Sequence, residues 1–433
     1  MIKQEEFARR RARLLAEAGP GSMIIMPSGR EALRNGDSHY PFRQNSDFWY
    51  LTGFNEPEAV LVIVPGRQEG EQLMFLREID PERARWDGPR LGLDGARTEL
   101  GMDDAFPIHD LDDILPGLME GCERLYHMVG EDPVFDQRVI GWRNSLRARS
   151  KGEKGPGELV SLEHLLHEQR LVKSSDEIRC MRRAARVAAD AMKRAMRHCR
   201  PGMNEAEIQA ELVHEYQRHD CEPAYQPIVA GGANALILHY IANNQPLPDD
   251  GLLLIDAGCE YHSYAADISR TFPVNGRFSS AQRDVYEVVL AAQHAAIDQV
   301  RSGRPYDAFH EAAVRALTQG LIDLKLLKGN VDDNIENQSY RRFYMHKTGH
   351  WLGLDVHDVG DYRIEGQARL LERNMVVTVE PGLYIGAEDD IPEALRNIGV
   401  RIEDDICVTR GEPENLTRAV PSTVDEIEAV MGR

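Results

Sequence analysis

The chain has 433 residues, long enough for two domains with sizeable cores, and none of its apolar stretches approaches the ~20 residues that cross a bilayer. Lysines and arginines number 51 against 71 acidic residues, and the resulting net charge of −20 repels phosphate backbones and argues against nucleic-acid binding. Six cysteines (Cys122, Cys180, Cys199, Cys221, Cys259 and Cys407) form no C-x-x-C pair, so the thiols read as reduced and structural rather than as a zinc site or a disulfide framework.

Residues 2–18 predict an amphipathic helix, with Phe7, Leu14 and Leu15 set among charges. Its basic run, Arg9, Arg10, Arg11 and Arg13, reads as a solvated face. The N-terminus carries no apolar signal-peptide core, so a cytoplasmic protein without membrane association is expected. Asp47-Phe-Trp-Tyr-Leu-Thr52 looks strand-like, with Phe48 and Tyr50 in a local core. Val60 to Val64, followed by Pro65-Gly66, predicts a buried strand ended by a turn. Trp86, in Arg85-Trp-Asp-Gly-Pro89, is flanked by charges, glycine and proline and is expected on a loop with no core to enter. Residues 151–158 predict a flexible loop. Ser174, three residues before Glu177, predicts a capping box that opens a long helix ending near Cys199, ahead of Pro201-Gly202. These signals set a domain boundary near residue 172, giving domains 1–172 and 173–433. The second half alternates helices with β-rich runs at 226–241, 251–273, 375–386 and 398–409, an α+β pattern of hairpins rather than parallel crossovers.

Within those runs, carboxylates stand in apolar strands. Leu252 to Phe272 reads as a hairpin turning near Tyr261 and His262. If residues whose numbers sum to 523 pair, Asp256 faces Asp267 on one side of the sheet. Two opposed carboxylates repel one another and lose hydration, and a cation removes both costs. Glu380 follows the apolar run Val376-Val-Thr-Val379, and Arg401 and Glu403 share a face by the two-residue strand period. His346, His350 and His357 fall within twelve residues. Any one of these histidines alone would ordinarily be a satisfied core residue; together with four strand carboxylates they point to metal binding. Four carboxylates and one imidazole are hard donors that suit Mn(II), Co(II) or Fe(II) and accommodate zinc less selectively. Their charge of about −4 balances two divalent ions, which can activate water and polarise a carbonyl. His214-Glu-Tyr-Gln-Arg-His219 is one residue too long for a zinc helix, Asp332 to Asn337 lacks the calcium-loop glycine, and no G-x-S-x-G elbow occurs.

These residues resemble the Xaa-Pro aminopeptidases (aminopeptidase P), a family of pita-bread metallopeptidases. The resemblance rests on Asp256, on A-D-I-S-R-T-F around Asp267, on H-W-L-G-L-D-V-H-D around His350 and His357, on V-E-P-G-L-Y-I around Glu380 and on G-V-R-I-E-D-D around Glu403. In the first half, Asp37 to Phe54 is similar to the bacterial form. The resemblance implies a creatinase-like N-terminal α/β domain, serving oligomerisation and cleft closure, followed by a pita-bread catalytic domain. It implies two divalent ions, Mn(II) foremost with Co(II) or Zn(II) as alternatives. Asp267 and Glu403 would bridge both, Asp256 would complete one, and His350 with Glu380 the other. Glu380 would also shuttle a proton, His357 and His239 would hold the substrate carbonyl and oxyanion, and His346, Arg401 and Tyr384 would line or support a proline pocket, with Tyr225 a weaker supporting candidate. The substrates implied are peptides with proline in the second position. The family usually has a small residue directly after the first histidine of H-x-x-x-H, whereas this chain has Lys347. Prolidase, which cleaves Xaa-Pro dipeptides, is the alternative on the same scaffold, and a non-catalytic pita-bread binding module is a second. The bacterial enzyme is a homo-tetramer in which a neighbouring subunit reaches the cleft, and Trp86 is the residue expected to do so here.

Overall fold

The structure, a computed structural model, describes residues 2–149 and 155–432. Of the expected loop at 151–158, residues 151–154 lie outside this range. The chain divides into two compact units, residues 2–170 and residues 171 onward.

The N-terminal unit is built on a six-stranded sheet in the spatial order Asp104–Pro107, Gln72–Leu76, Val60–Ile63, Ser22–Pro27, Arg124–His127, Glu158–Ser161. Val60–Ile63 runs antiparallel to both neighbours, and the other pairings are parallel. Its four residues are all buried, as expected of a central strand covered on both faces. Met23, Ile25, Val62, Leu73 and Phe75 pack against Leu111, Leu115 and Trp142 from helices on one side.

Two expectations about this unit need correction. Residues 46–52 form a helix, not a strand. Asn45 caps it by accepting from the Phe48 N–H at 3.0 Å, and Gly53 closes it in the left-handed region at φ 64°. A Cβ at Gly53 would also lie 2.6 Å from the Phe7 ring, so the close approach of the first helix fixes glycine there. End signals and packing thus outweigh the aromatic bias toward strand. The second correction concerns the basic run on helix Gln4–Ala18. Arg9 and Arg13 are exposed, but Arg10 and Arg11 are buried. Arg11 donates to the carbonyls of Leu51 (2.8 Å) and Leu100 (2.9 Å), and Arg10 donates to the Tyr50 carbonyl (2.9 Å) while lying over the Tyr50 ring. Carbonyls left over at the end of the 46–52 helix need donors, and guanidinium groups supply them.

In the C-terminal unit, every pairing among the strands that reach the site is antiparallel: Ile228–Gly231 with Leu252–Asp256 with Ser269–Pro273, Val376–Val379 with Asp404–Cys407, and Gly382–Ile385 with Ile398–Arg401. Helix Ser175–His198 opens with the Ser174–Glu177 capping box and lays Ala184, Ala188, Ala191 and Ala195 in the core beside Val229, Leu253, Ile255 and Phe272. Small side chains let the helix settle closely on the strands. The expected run at 226–241 is a strand only over Ile228–Gly231; a 3-10 turn follows at Gly232–Leu236, and His239 stands exposed in a turn rather than on a strand.

The acidic hairpin is offset by two residues from its expected register. Asp256 pairs with Ser269, not Asp267, and the pairs Glu260–Ala265 and Tyr261–Tyr264 continue the same offset. The turn lies at His262 and Ser263, both at positive φ (50° and 64°), the geometry of a two-residue hairpin turn. A slip of two leaves every side chain on its face. Asp256 and Asp267 therefore still share one side of the hairpin, as diagonal rather than direct neighbours.

Candidate metal centre

Each of the five expected ligands is delivered by the end of a buried apolar strand or by the loop beside one. Strand Leu252–Asp256 buries its first four residues and presents Asp256 at its tip. Asp267 lies between Tyr264–Ala265 and Ser269–Pro273, its N–H donating to both Asp405 carboxylate oxygens at 3.2 Å. Glu380 follows Val376–Val379, and its N–H donates to the Thr348 carbonyl at 2.7 Å. Glu403 follows Ile398–Arg401; its N–H donates to the Ser269 carbonyl (3.0 Å) and its carboxylate accepts from Ser269 Oγ (2.7 Å). His350 donates its backbone N–H to Thr378 Oγ1 (3.1 Å), and its ring Nδ1 sits 2.9 Å from the Trp351 carbonyl. That contact makes Nδ1 the N–H and turns Nε2 toward Asp267 (3.5 Å) and Glu380 (3.8 Å).

Asp267, His350 and Glu403 each present a ligand atom within 4.8 Å of the others. Asp256 joins them through Tyr225, whose hydroxyl contacts Asp256 Oδ1 at 2.6 Å and also hydrogen-bonds Asp267 Oδ1. All five side chains line one cavity of about 1110 Å³. His239, His346, His357 and Arg401 line it as well, and the His357 ring lies 4.3 Å from that of His350. Tyr384 is buried behind this wall. Its hydroxyl links His346 Nε2 (2.9 Å) to Arg401 Nη1 (3.0 Å), and Arg401 Nη2 donates to Asp256 Oδ2 at 2.7 Å. Trp86 belongs to the N-terminal unit, where it is 85% exposed on the short helix Ala84–Asp87.

The electrostatics of the cluster show what it accommodates. Burial among like charges pushes the Glu403 carboxyl well above its ordinary range and Glu380 up to about 7, and raises Asp256 although Arg401 opposes the rise. Burial also disfavours an ionised Asp267, but His350 and the Tyr225 hydroxyl outweigh it and hold this carboxyl low. Burial works against the imidazolium of His350 too, yet Asp267 and Glu380 lift it to about 9. Asp267 and Glu403, buried, and Asp256 and Glu380, half-buried, thus face one guanidinium, the His350 and His346 rings and one phenol. A donor set this rich in oxygen and negative charge fits divalent cations.

Several residues that shape the site had weak or no signals in the sequence. Ser269 and Asp405 each lie two residues beyond an expected ligand, on the same strand face, and the two-residue period marks them. Thr348 and Thr378 hold the loop that carries His350. His310, on helix Asp307–Asp323, contacts Thr348 Oγ1 at 2.8 Å and lines the cavity. No local pattern distinguishes it from any other helical histidine.

Antiparallel strands that gather four carboxylates and a histidine around one cavity form a candidate divalent-metal site of the kind on which metal-dependent hydrolases are built. Residues 179–410 match the model of metallopeptidase family M24, and residues 7–126 that of the aminopeptidase P N-terminal domain. The Xaa-Pro aminopeptidase of Haemophilus influenzae is 45% identical over 99% of this chain and 98% of its own. Among solved structures, an aminopeptidase PepP of Pseudomonas aeruginosa superposes with a TM-score of 0.98 at 52% identity, covering 99% of this chain and 98% of that one. Aminopeptidase P of Escherichia coli with the inhibitor Pro-Leu gives 0.96 at 44% identity, with 99% and 98% covered. The chain belongs to metallopeptidase family M24, and its N-terminal domain is that of aminopeptidase P.

Proposed function

We propose that this protein is a two-metal aminopeptidase that releases the N-terminal residue from peptides with proline in the second position. The observation that carries this reading is the cluster of buried carboxylates around His350, on a chain similar over its whole length to Xaa-Pro aminopeptidases. Asp256, Asp267, His350, Glu380 and Glu403 would hold the ions, with Asp267 and Glu403 touching both and Mn(II) the expected metal. Bound divalent ions lower the pKa of water and polarise a carbonyl oxygen.

The protein's own groups account for the remaining steps. His357 and His239, both on exposed loop positions of the cavity wall, donate to the scissile carbonyl as negative charge develops on it. Glu380 takes a proton from the attacking water and delivers it to the proline nitrogen as the C–N bond breaks; the water oxygen stays with the released residue as its new carboxylate. The hydrogen-bonded chain from His346 through Tyr384 to Arg401 stiffens the wall against which the proline ring packs. An Xaa-Pro bond is a tertiary amide without an N–H, so recognition depends on such a shaped wall rather than on a backbone hydrogen bond. Trp86 of a neighbouring copy would help to close the cleft in a homo-tetramer. A cytoplasmic location is part of this proposal; among the described residues no helix is long and apolar enough to cross a membrane.

The test is a comparison of kcat/KM for Xaa-Pro-Xaa and Xaa-Ala-Xaa peptides with free N-termini and added Mn(II). A strong preference for proline is expected, and equal rates would refute the assignment. Activity confined to Xaa-Pro dipeptides would make the protein a prolidase instead.

A further inference from the structure

Lys347 is an exposed cation on the wall of the cavity, and its ammonium group makes no ion pair or hydrogen bond with any described residue. The other cations on that wall are engaged. Arg401 binds Asp256 and Tyr384, and Arg363 binds Asp307 at 2.8 Å. Asp355, also on the wall, has partners within the protein. The neighbouring His310 is held neutral, its pKa lowered to about 4 by burial and by the charge of Lys347 itself. One uncompensated positive charge therefore remains on this part of the cavity. In a chain of net charge −20, its sign stands against the overall field.

Position says what that charge meets. Lys347 follows directly on His346, and the His346 ring is tied back by Nδ1 to the Lys347 carbonyl at 2.7 Å. His346 belongs to the wall against which proline would pack, so a peptide chain continuing beyond the ring passes Lys347. We infer that Lys347 makes this cavity selective for negative charge on the leaving fragment: an acidic side chain after proline, or the terminal carboxylate of a short peptide. The inference rests on the aminopeptidase reading above and names a substrate class within it.

A solvent-exposed pair of opposite charges is weak, so the preference is modest, about two- to five-fold in kcat/KM. It falls as added salt screens the pair. The test uses four substrates with the metal-loaded protein and its Lys347→Gln and Lys347→Glu variants. Ala-Pro-Glu-Ala amide against Ala-Pro-Gln-Ala amide isolates the side chain, and Ala-Pro-Ala free acid against its amide isolates the terminal carboxylate. The expected result is a ratio above one in at least one pair, lost in Lys347→Gln and inverted in Lys347→Glu; the pair that responds identifies the source of the charge. Ratios near one in both pairs, or ratios that both variants leave unchanged, overturn the inference while the aminopeptidase reading stands. Failure to cleave any of the four peptides overturns that reading itself.

Discussion

The two ring nitrogens of His350 face different partners, a backbone carbonyl on one side and carboxylates on the other, and this division sets how the site loads. Without metal, His350 titrates at about 9 and Glu380 at about 7, so near neutral pH the imidazole is protonated and Glu380 partly so. A divalent ion needs the free Nε2 and the ionised carboxylate, and binding must displace these protons. Apparent affinity should therefore rise with pH through the neutral range and level off above about 9. Calorimetric titration at pH 7 in buffers of different ionisation heat is expected to show net proton release; no dependence on the buffer would contradict it. The candidate ligands stood out in the sequence, because carboxylates inside apolar runs are costly and conspicuous, and the structure brings them to one cavity. Their pairing was not legible. Period-two alternation determines which face Asp256 and Asp267 occupy but is blind to a slip of two, and only the positive φ at His262 and Ser263 fixes the turn. Nor could the sequence place His239 in a turn, since Ile237-Leu-His-Tyr alternates no differently from a strand.

The loop that carries His357 is tied to the start of the C-terminal unit by one ion pair. Lys173 Nζ lies 2.9 Å from Asp358 Oδ2, and both side chains are 1% exposed. Gly353 lies against the pair: a Cβ there would come within 2.1 Å of Asp358 Oδ2. Lys173→Met takes the cation from beside a buried carboxylate and should destabilise the protein by about 3–5 kcal/mol, whereas Lys173→Met with Asp358→Leu should recover most of that. Denaturant midpoints measure both, and a double variant as unstable as the single one would contradict the ion-pair account. Elements with strong local signals were legible. The Ser174–Glu177 box opens its helix, and Val60–Ile63 is the central strand its apolar run suggests. Where tertiary contacts decide, as for the helix at 46–52 and the buried Arg10 and Arg11, local pattern misleads. The carbonyls those guanidiniums satisfy come from residues 40 to 89 positions away.

For the whole molecule, the N-terminal unit supplies none of the five expected ligands and yet exposes Trp86 almost completely. A solvated tryptophan is costly, and tryptophans are enriched at interfaces. With Trp86 read as the residue that closes a neighbouring copy's cleft, Trp86→Ala should raise KM for peptides longer than a dipeptide and leave metal content unchanged. Light scattering should show four chains per particle. A fully active monomer with an unimpaired Trp86→Ala variant would sink this reading.

The hydroxyl of Tyr225, shared between Asp256 and Asp267, bears on what happens when the cleft is emptied. The Tyr225 hydroxyl can bridge the two carboxylates once chelation removes divalent ions, and the ladders behind it run through backbone hydrogen bonds. Chelation should then leave a folded vessel ready to be refilled, with its circular dichroism unchanged and its activity restored on adding back Mn(II). Tyr225→Phe removes that bridge and leaves Asp256 to Arg401 and Asp267 to His350. Its cost should fall on the stripped protein, by about 1–2 kcal/mol for the lost hydrogen bond, and hardly at all on the filled one, where ions hold the carboxylates together.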